Sequence, residues 1–496
     1  MSFLGIDLGT SAVKLLLMAE DGKVLQTISQ EYPVYYPQAG WAEQEPEDWW
    51  KATSEGIRKI LATTAAAKDP VQSIGLSGQM HGLVLLDRES RILRPALLWC
   101  DQRTQAECDF ITDQLGSKLS EYTANKALTG FTAPKVLWVK RNQPEIYRQI
   151  EHVLLPKDYI RWRLTGEYAT DVSDASGTLF FDVARRQWSM EMVDFLGLPA
   201  TVLPSCYESY EIIGYITGQA AATTGLNKGL PVVGGGGDQA SGAVGTGVVK
   251  AGTVSVALGT SGVVFACQNT YSVDDANRLH SFCHANGKWH VMGVMLSAAS
   301  CLKWWVEEVC QLDASGFTAL LNEASAIPAG SQGLIYLPYL LGERTPYSDP
   351  NARGTFTGLT MTHGRAHMTK AILEGVAFGL RDSLEIIREQ HIPIQEVRVS
   401  GGGARSILWR QILANVFDLP VCVVNSVEGP AFGAAILAAV GAGVFADVEK
   451  ACESMIHTTE RTDPVATDVD CYHAIYPIYH QLYGRLQETF EQLGKL

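Results

Sequence analysis

Two short runs of small, hydroxylated residues stand out for the chemistry they permit. Gly9-Thr10-Ser11 and Gly259-Thr260-Ser261 each follow a leucine and lie between apolar runs. Glycine lets main chain come close to a ligand, and successive N–H groups at such a turn form an anion nest, so each run suits a phosphate. Asp7, just before the first run, would be repelled by phosphate unless a divalent cation such as Mg²⁺ sat between them. Lys14 either adds a positive charge there or is a solvated strand lysine. Asp238 follows four consecutive glycines, residues 234–237. An aspartate so placed either accepts the proton of an attacking hydroxyl or caps the helix that follows. A third glycine run, Gly401-Gly402-Gly403, offers bare main chain to a flat base or ribose, or packs a strand closely on a helix. Gln79 and His81 offer donors and acceptors for sugar hydroxyls, with Met80 as an apolar contact. Asp101 either accepts from a hydroxyl while Arg103 steadies it or forms a plain ion pair.

The elements that must position these groups follow from hydrophobic periodicity. Strands are expected over 3–7, 12–18 and 23–31, a helix over 46–63, and strands over 71–76 and 82–87. The stretch 104–200 reads as mainly helical, and a short strand at 230–233 enters the four-glycine run. Strands at 252–257 and 263–267 then repeat the opening pattern, and Thr10 and Thr260 lie 250 positions apart (260 − 10), about half of the 496-residue chain. Helices are expected over 366–389, 406–417 and, with Pro430 near its first turn, the Ala-rich stretch from 431 to 446. Strands at 397–400 and 421–424 complete the pattern, with a last helix near 472–493. The reading is two similar α/β domains, 1–247 and 248–496, each opening with a β-hairpin that carries Gly-Thr-Ser at its tip. The last helix is expected to pack back onto the first domain.

Bulk properties narrow the function class. With 39 Lys and Arg against 53 Asp and Glu, a net charge of −14 argues against a nucleic-acid partner. The ten cysteines include no C-x-x-C pair, which removes zinc-ribbon and thioredoxin readings and points to reduced, mostly buried thiols. The longest apolar stretch is too rich in Ala and Gly for a membrane span, and the opening residues lack a signal peptide's basic region, so a cytoplasmic location and no membrane partner are expected. The stretch 235–240 also fits the dinucleotide pattern G-x-G-x-x-A, but the acidic residue expected about 20 positions on is missing, and there is no Walker A sequence.

Taken together these residues resemble the FGGY carbohydrate kinases, relatives of actin, hexokinase and the heat-shock chaperone ATPases. The resemblance covers essentially the whole chain. Residues 5–11 look like the family's first phosphate motif, 258–262 like the second and 400–404 like the adenosine motif, while 131–138, Gly358-Leu359 and 374–377 look like further signatures. It implies two duplicated actin-like ATPase (ribonuclease H-like) domains with a cleft between them. The sugar would bind the first domain through Gln79, Met80, His81, Asp101 and Asp238. ATP with Mg²⁺ would bind through Thr10, Ser11, Lys14, Gly259, Thr260, Gly401, Gly402 and Gly403. Asp238 would be the catalytic base, and Asp7, also needed for activity, would hold Mg²⁺ through water. Residues 78–82, 155–159, 280–284 and 342–346 are similar to stretches of members acting on ketopentoses, which implies D-xylulose as substrate, with L-ribulose, L-xylulose, glycerol or gluconate as runners-up. Cys100 and Gln239 depart from the family pattern and bear on the choice of sugar. Members of the family are often dimers, so a homodimer is an expectation. A non-catalytic ATP-binding protein of the actin or chaperone type is the alternative, though Asp238 and His81 would have no task there.

Overall fold

The sequence β1, Ser2–Leu8, is apolar on both faces and is buried on both, so it can sit only in the middle of a sheet. In the computed structural model, which describes residues 1–426 and 428–495, β1 pairs antiparallel with β2 (Ala12–Ala19) and parallel with β4 (Val71–Gly78). The polar strand β3 (Val24–Glu31) takes the edge beside β2. On the far side of β4 come β6 (Pro231–Val233), β5 (Ile212–Tyr215) and the two-residue β7 (Gly236–Gly237).

The second half repeats this local arrangement. β8 (Gly252–Leu258) pairs antiparallel with β9 (Gly262–Gln268) and parallel with β12 (Ile394–Ser400). β10 (His280–Cys283) and β11 (Trp289–Met295) extend the sheet beyond β9, and β13 (Val421–Val424) and β14 (Thr458–Thr462) beyond β12, giving seven strands as in the first sheet. Both expected hairpins form. Gly9 N donates to Ala12 O at 3.0 Å and Gly259 N to Ser261 O at 3.1 Å, closing each tip.

Helices cover the sheets. The site depends on α1 (Pro46–Leu61), α2 (Thr132–Asn142), α3 (Pro156–Thr165), α4 (Val172–Ala175) and α5 (Asp238–Gly245) in the first half. The second half adds α6 (Ala299–Trp304), α7 (Arg365–Glu389), α8 (Ile407–Phe417), α9 (Gly429–Gly441) and α10 (Ala466–Leu493).

One expectation about helix placement needs correction. The last helix, α10, packs on α7 and α8 of the second half rather than on the first domain. Its tyrosines supply the reason: Tyr472 donates to Glu374 at 2.8 Å, Tyr476 to Asp382 at 2.7 Å and Tyr483 to Asp349 at 3.0 Å. The Ala-rich α9 is the late segment that lies on β1, β2 and β4. Bare glycines let it approach. A Cβ at Gly5 would stand 1.9 Å from Ala431 O, one at Gly75 1.9 Å from Ala434 O, and one at Gly433 1.8 Å from Ser241 O of α5. Ser73 Oγ adds a hydrogen bond to Ala438 O at 2.6 Å.

All ten cysteines are free, and among the described residues no helix is long and apolar enough to cross a membrane.

Gly433→Val should lower unfolding stability by about 3 kcal/mol, the upper end of ordinary overpacking, because the obstacle is main chain and cannot rotate away. Gly484 sits exposed in α10 with open space around its Cβ position, so Gly484→Ala should raise stability by about 0.5–1 kcal/mol. Urea unfolding of both variants checks the pair.

Candidate active site

Every strand that runs parallel to its neighbour in the centre of either sheet ends in one of the motifs singled out above. β1 ends at Gly9-Thr10-Ser11, β4 at Gln79-Met80-His81, β8 at Gly259-Thr260-Ser261 and β12 at Gly401-Gly402-Gly403. Ligands of α/β folds collect at these carboxyl ends, where side chains and main-chain N–H groups emerge from the sheet.

Asp7 and Asp238 flank the end of β4 from opposite sides. Asp7 lies in register with Ser77, and Gly236 of β7 pairs with the same Ser77 from the other edge, two residues before Asp238. Burial lifts the Asp7 carboxyl to about 6, against the pull of the Ser77 hydroxyl and of Lys14. Burial lifts Asp238 to about 7, and the negative charge of Asp7 adds to the rise, while the Gln239 amide groups pull the other way. Asp7 Oδ1 is buried without a hydrogen-bond partner among the described residues. An orphaned carboxylate oxygen beside a second carboxylate is the arrangement a divalent cation would complete. No group of three metal-ligating side chains gathers among the described residues, so such a cation would take its other ligands from phosphate oxygens and water.

The glycine run before Asp238 is held from below by a buried ionic network. Lys157 Nζ lies 3.0 Å from Asp158, 2.8 Å from Asp171 and 3.4 Å from Asp174, all with side chains shut off from solvent. Arg161 pairs with Asp158 at 2.7 Å and also donates to Ala169 O and Gly234 O. Ser173 Oγ donates to Asp171 and accepts from Gly237 N at 3.1 Å. Gly235 can serve nowhere else: its φ is +69°, and a Cβ there would stand 1.8 Å from Leu76 O. In sequence the charges along α3 and α4 look solvated, so this network is not legible there; the spacing of Lys157 and Arg161 on one helix face is its only trace.

His81 takes a left-handed backbone, φ +68°, stabilised by Lys135 Nζ and Thr132 Oγ1 of α2, which donate to His81 O at 2.8 and 3.1 Å. Its Nδ1 lies 2.6 Å from Gly177 O. A carbonyl can only accept, so Nδ1 carries the proton and Nε2 is left an acceptor. Burial drops the imidazole to about 3, which keeps it neutral. Lys135 belongs to a stretch the sequence marks only as a signature; its work is on the His81 main chain. Gln79 is buried, donates to Gln44 Oε1 at 3.0 Å and keeps its own Oε1 free.

The expectation that Asp101 accepts from a sugar hydroxyl is corrected. Its carboxylate is wholly buried and saturated, accepting from Ala42 N at 2.7 Å and from Arg103 N, Nε and a terminal guanidinium nitrogen at 2.7–3.0 Å. Its partner Arg103 also pairs with Glu43 at 2.8 Å and stacks over Trp41 at 3.6 Å.

At the phosphate loops, Thr10 Oγ1 accepts from the exposed Trp99 at 3.0 Å and Thr10 O accepts from Gln44 at 2.7 Å, while Ser11 is exposed. Lys14 is paired with Glu428 at 2.9 Å. Thr260 O accepts from Ala298 N at 2.9 Å and Ser300 Oγ at 2.7 Å, and Gly259 O from Ala299 N at 2.8 Å, so the start of α6 braces the second tip. Gly401, φ +86°, brings the third glycine run against this tip, where a Cβ would stand 2.7 Å from Leu258 O; Gly402 opens to free space.

Two sheets with repeated hairpins and strand-end loops define the actin-like ATPase fold. The family comparison makes this specific. The N-terminal domain of the FGGY family of carbohydrate kinases matches residues 2–245 and its C-terminal domain residues 254–442. The chain belongs to the FGGY family of carbohydrate kinases. It is 39% identical over 486 residues to a xylulose kinase of Bacillus subtilis (strain 168), covering 98% of this chain and 97% of the relative. It is 44% identical over 442 residues to a xylulose kinase of Escherichia coli (strain K12), covering 89% and 90%. The crystal structure of a kinase from Brucella ovis, described as a xyloylose kinase, superposes with a TM-score of 0.94 at 39% identity, covering 99% of this chain and 100% of that one.

Lys157→Met would leave three buried carboxylates against Arg161 alone. It should cost about 3–5 kcal/mol of stability, the usual penalty for breaking a buried ion pair from one side, and urea unfolding reads it directly.

Proposed function

We propose that the chain transfers the γ-phosphoryl group of ATP to the terminal hydroxyl of D-xylulose, giving D-xylulose 5-phosphate and ADP. The observation that carries the reading is the pair Asp7 and Asp238 at the end of β4, with the acceptor nitrogen of His81 on the same strand end. The similar proteins of B. subtilis and E. coli, both xylulose kinases, support the choice of sugar. Asp238 accepts the proton of the attacking hydroxyl; its carboxyl, held near 7, is a better base than an ordinary aspartate and is about half ionised at neutral pH. Gln79, Met80 and His81 hold the sugar. Thr10, Ser11, Gly259 and Thr260 hold phosphate oxygens, with Lys14 exchanging Glu428 for phosphate, and Gly401, Gly402 and Gly403 receive the nucleoside. Asp7 would hold Mg²⁺ through water, and the ion would supply neutralisation of the phosphate charge. In this reading the first sheet carries the sugar and the second the nucleotide, along the division 1–247 and 248–496, and closure of the cleft excludes water. A cytoplasmic setting suits a reaction that consumes ATP.

Asp238→Asn should lower kcat by about 10²–10⁴ with ATP affinity kept, since a positioned base contributes that much. A coupled ADP-release assay over D-xylulose, L-ribulose, L-xylulose and glycerol measures it; near-normal turnover by the variant, or a better substrate than D-xylulose, defeats the assignment. The base must be ionised, so kcat/KM should fall as pH drops through about 7 in the wild type.

A further inference from the structure

The two hairpin tips meet the same demand by different means. In each, the carbonyls of the Gly-Thr pair are taken by donors from outside the tip. In the second half those donors lie at the start of α6: Ala299 N meets Gly259 O, while Ala298 N and Ser300 Oγ meet Thr260 O. In the first half they are side chains. The Tyr32 hydroxyl donates to Gly9 O, and Gln44 Nε2 donates to Thr10 O at 2.7 Å. The carbonyls on either side are held as well, Leu8 O by Gln79 N at 2.8 Å and Ser11 O by Tyr32 N at 3.1 Å.

A trans peptide carries its C=O and the following N–H on opposite sides. Fixing Gly9 O and Thr10 O on donors inside the protein therefore turns the N–H groups of Thr10 and Ser11 the other way. Among the described residues neither of these N–H groups donates to a protein acceptor. The Thr10 hydroxyl accepts from Trp99 Nε1 and so keeps its own proton to give. The tip thus presents three donors and no unengaged carbonyl, the surface of an anion nest.

Gln44 can hold the tip in one orientation only. It is wholly buried, and Trp49 Nε1, which can only donate, lies 3.1 Å from its Oε1. Gln79 Nε2 donates to the same oxygen at 3.0 Å. The amide nitrogen is left to Thr10 O and to Pro33 O at 3.0 Å. Turning the amide over would set donor against donor and acceptor against acceptor at all four contacts.

The first tip belongs to the sheet that carries Asp7, Asp238 and Gln79, so the phosphate it meets is the one beside the sugar. We infer that Gln44 and Tyr32 are positioning residues for the transferred phosphoryl group, each acting through a main-chain carbonyl to keep the N–H groups of Thr10 and Ser11 aimed at the terminal phosphate. The inference rests on the phosphoryl-transfer reading above.

Steady-state kinetics and calorimetric titration of the full chain test it. Gln44→Met keeps the length of the side chain but cannot donate. It should lower kcat about tenfold to a hundredfold, the loss that follows a misplacement of about 1 Å, with KM for D-xylulose kept within about twofold. Tyr32→Phe should act in the same direction by about threefold to tenfold, the worth of one neutral hydrogen bond. In titration, the wild type should bind the β,γ-methylene analogue of ATP with Mg²⁺ more tightly than ADP with Mg²⁺. Both variants should lose much of that preference while ADP affinity stays put. Unchanged kcat in both variants, a wild type without the preference, or an equal loss of affinity for ADP and the analogue overturns the inference, the last because it marks general damage to the site. Should Gln44→Met not fold, Tyr32→Phe carries the test alone. The titrations need no sugar: a chain that shows this pattern but phosphorylates no pentulose sinks the choice of substrate and leaves the inference standing.

Discussion

The site depends on keeping two carboxylates, Asp7 and Asp238, half-buried within reach of each other's charge. Neither is neutralised by a bonded arginine, and Lys14, which offsets Asp7, is shared with Glu428. Like charges so placed raise each other's proton affinity and would separate if the main chain allowed it. It does not. Asp7 is locked in a central strand with neighbours on both sides, and Asp238 follows a glycine run pinned by Arg161 and Ser173. The rest of the first half reads as the support this repulsion requires.

That support is built from backbone as much as from side chains. His81 takes its left-handed turn because Lys135 and Thr132 hold its carbonyl, and the second hairpin tip is fixed because its own carbonyls accept from the start of α6. In both places a group that the proposed function gives to a ligand is aimed by hydrogen bonds to the main chain. Asp101 shows the opposite case, a carboxylate so fully used in holding Arg103 that nothing remains for a ligand.

Much of this was legible in the sequence. The hairpins announce themselves through apolar runs broken by Gly-Thr-Ser, and β13 falls on the residues expected from the pattern alone. Asp238 could be singled out because four glycines precede it. What escaped was partner choice. Lys157, Asp158, Arg161, Asp171 and Asp174 carry charges that look solvated until the fold shuts them in. The small-residue face of α9 has no polar pattern to say which sheet it covers, and the tyrosines of α10 do not reveal that acids on the second half await them. Periodicity fixes that a face is buried; only three-dimensional packing decides against what.

The placement of α9 bears on how the chain comes to be folded. The bond from Ser73 to Ala438 spans 365 residues, and α9 covers strands made at the very start of synthesis. The opening sheet must therefore wait, one apolar face bare, until nearly the whole polypeptide has left the ribosome. Long-range closure of this kind is slow and exposes sticky surface meanwhile. Completing the first half's core therefore requires a segment of the second, so the two halves close as one unit.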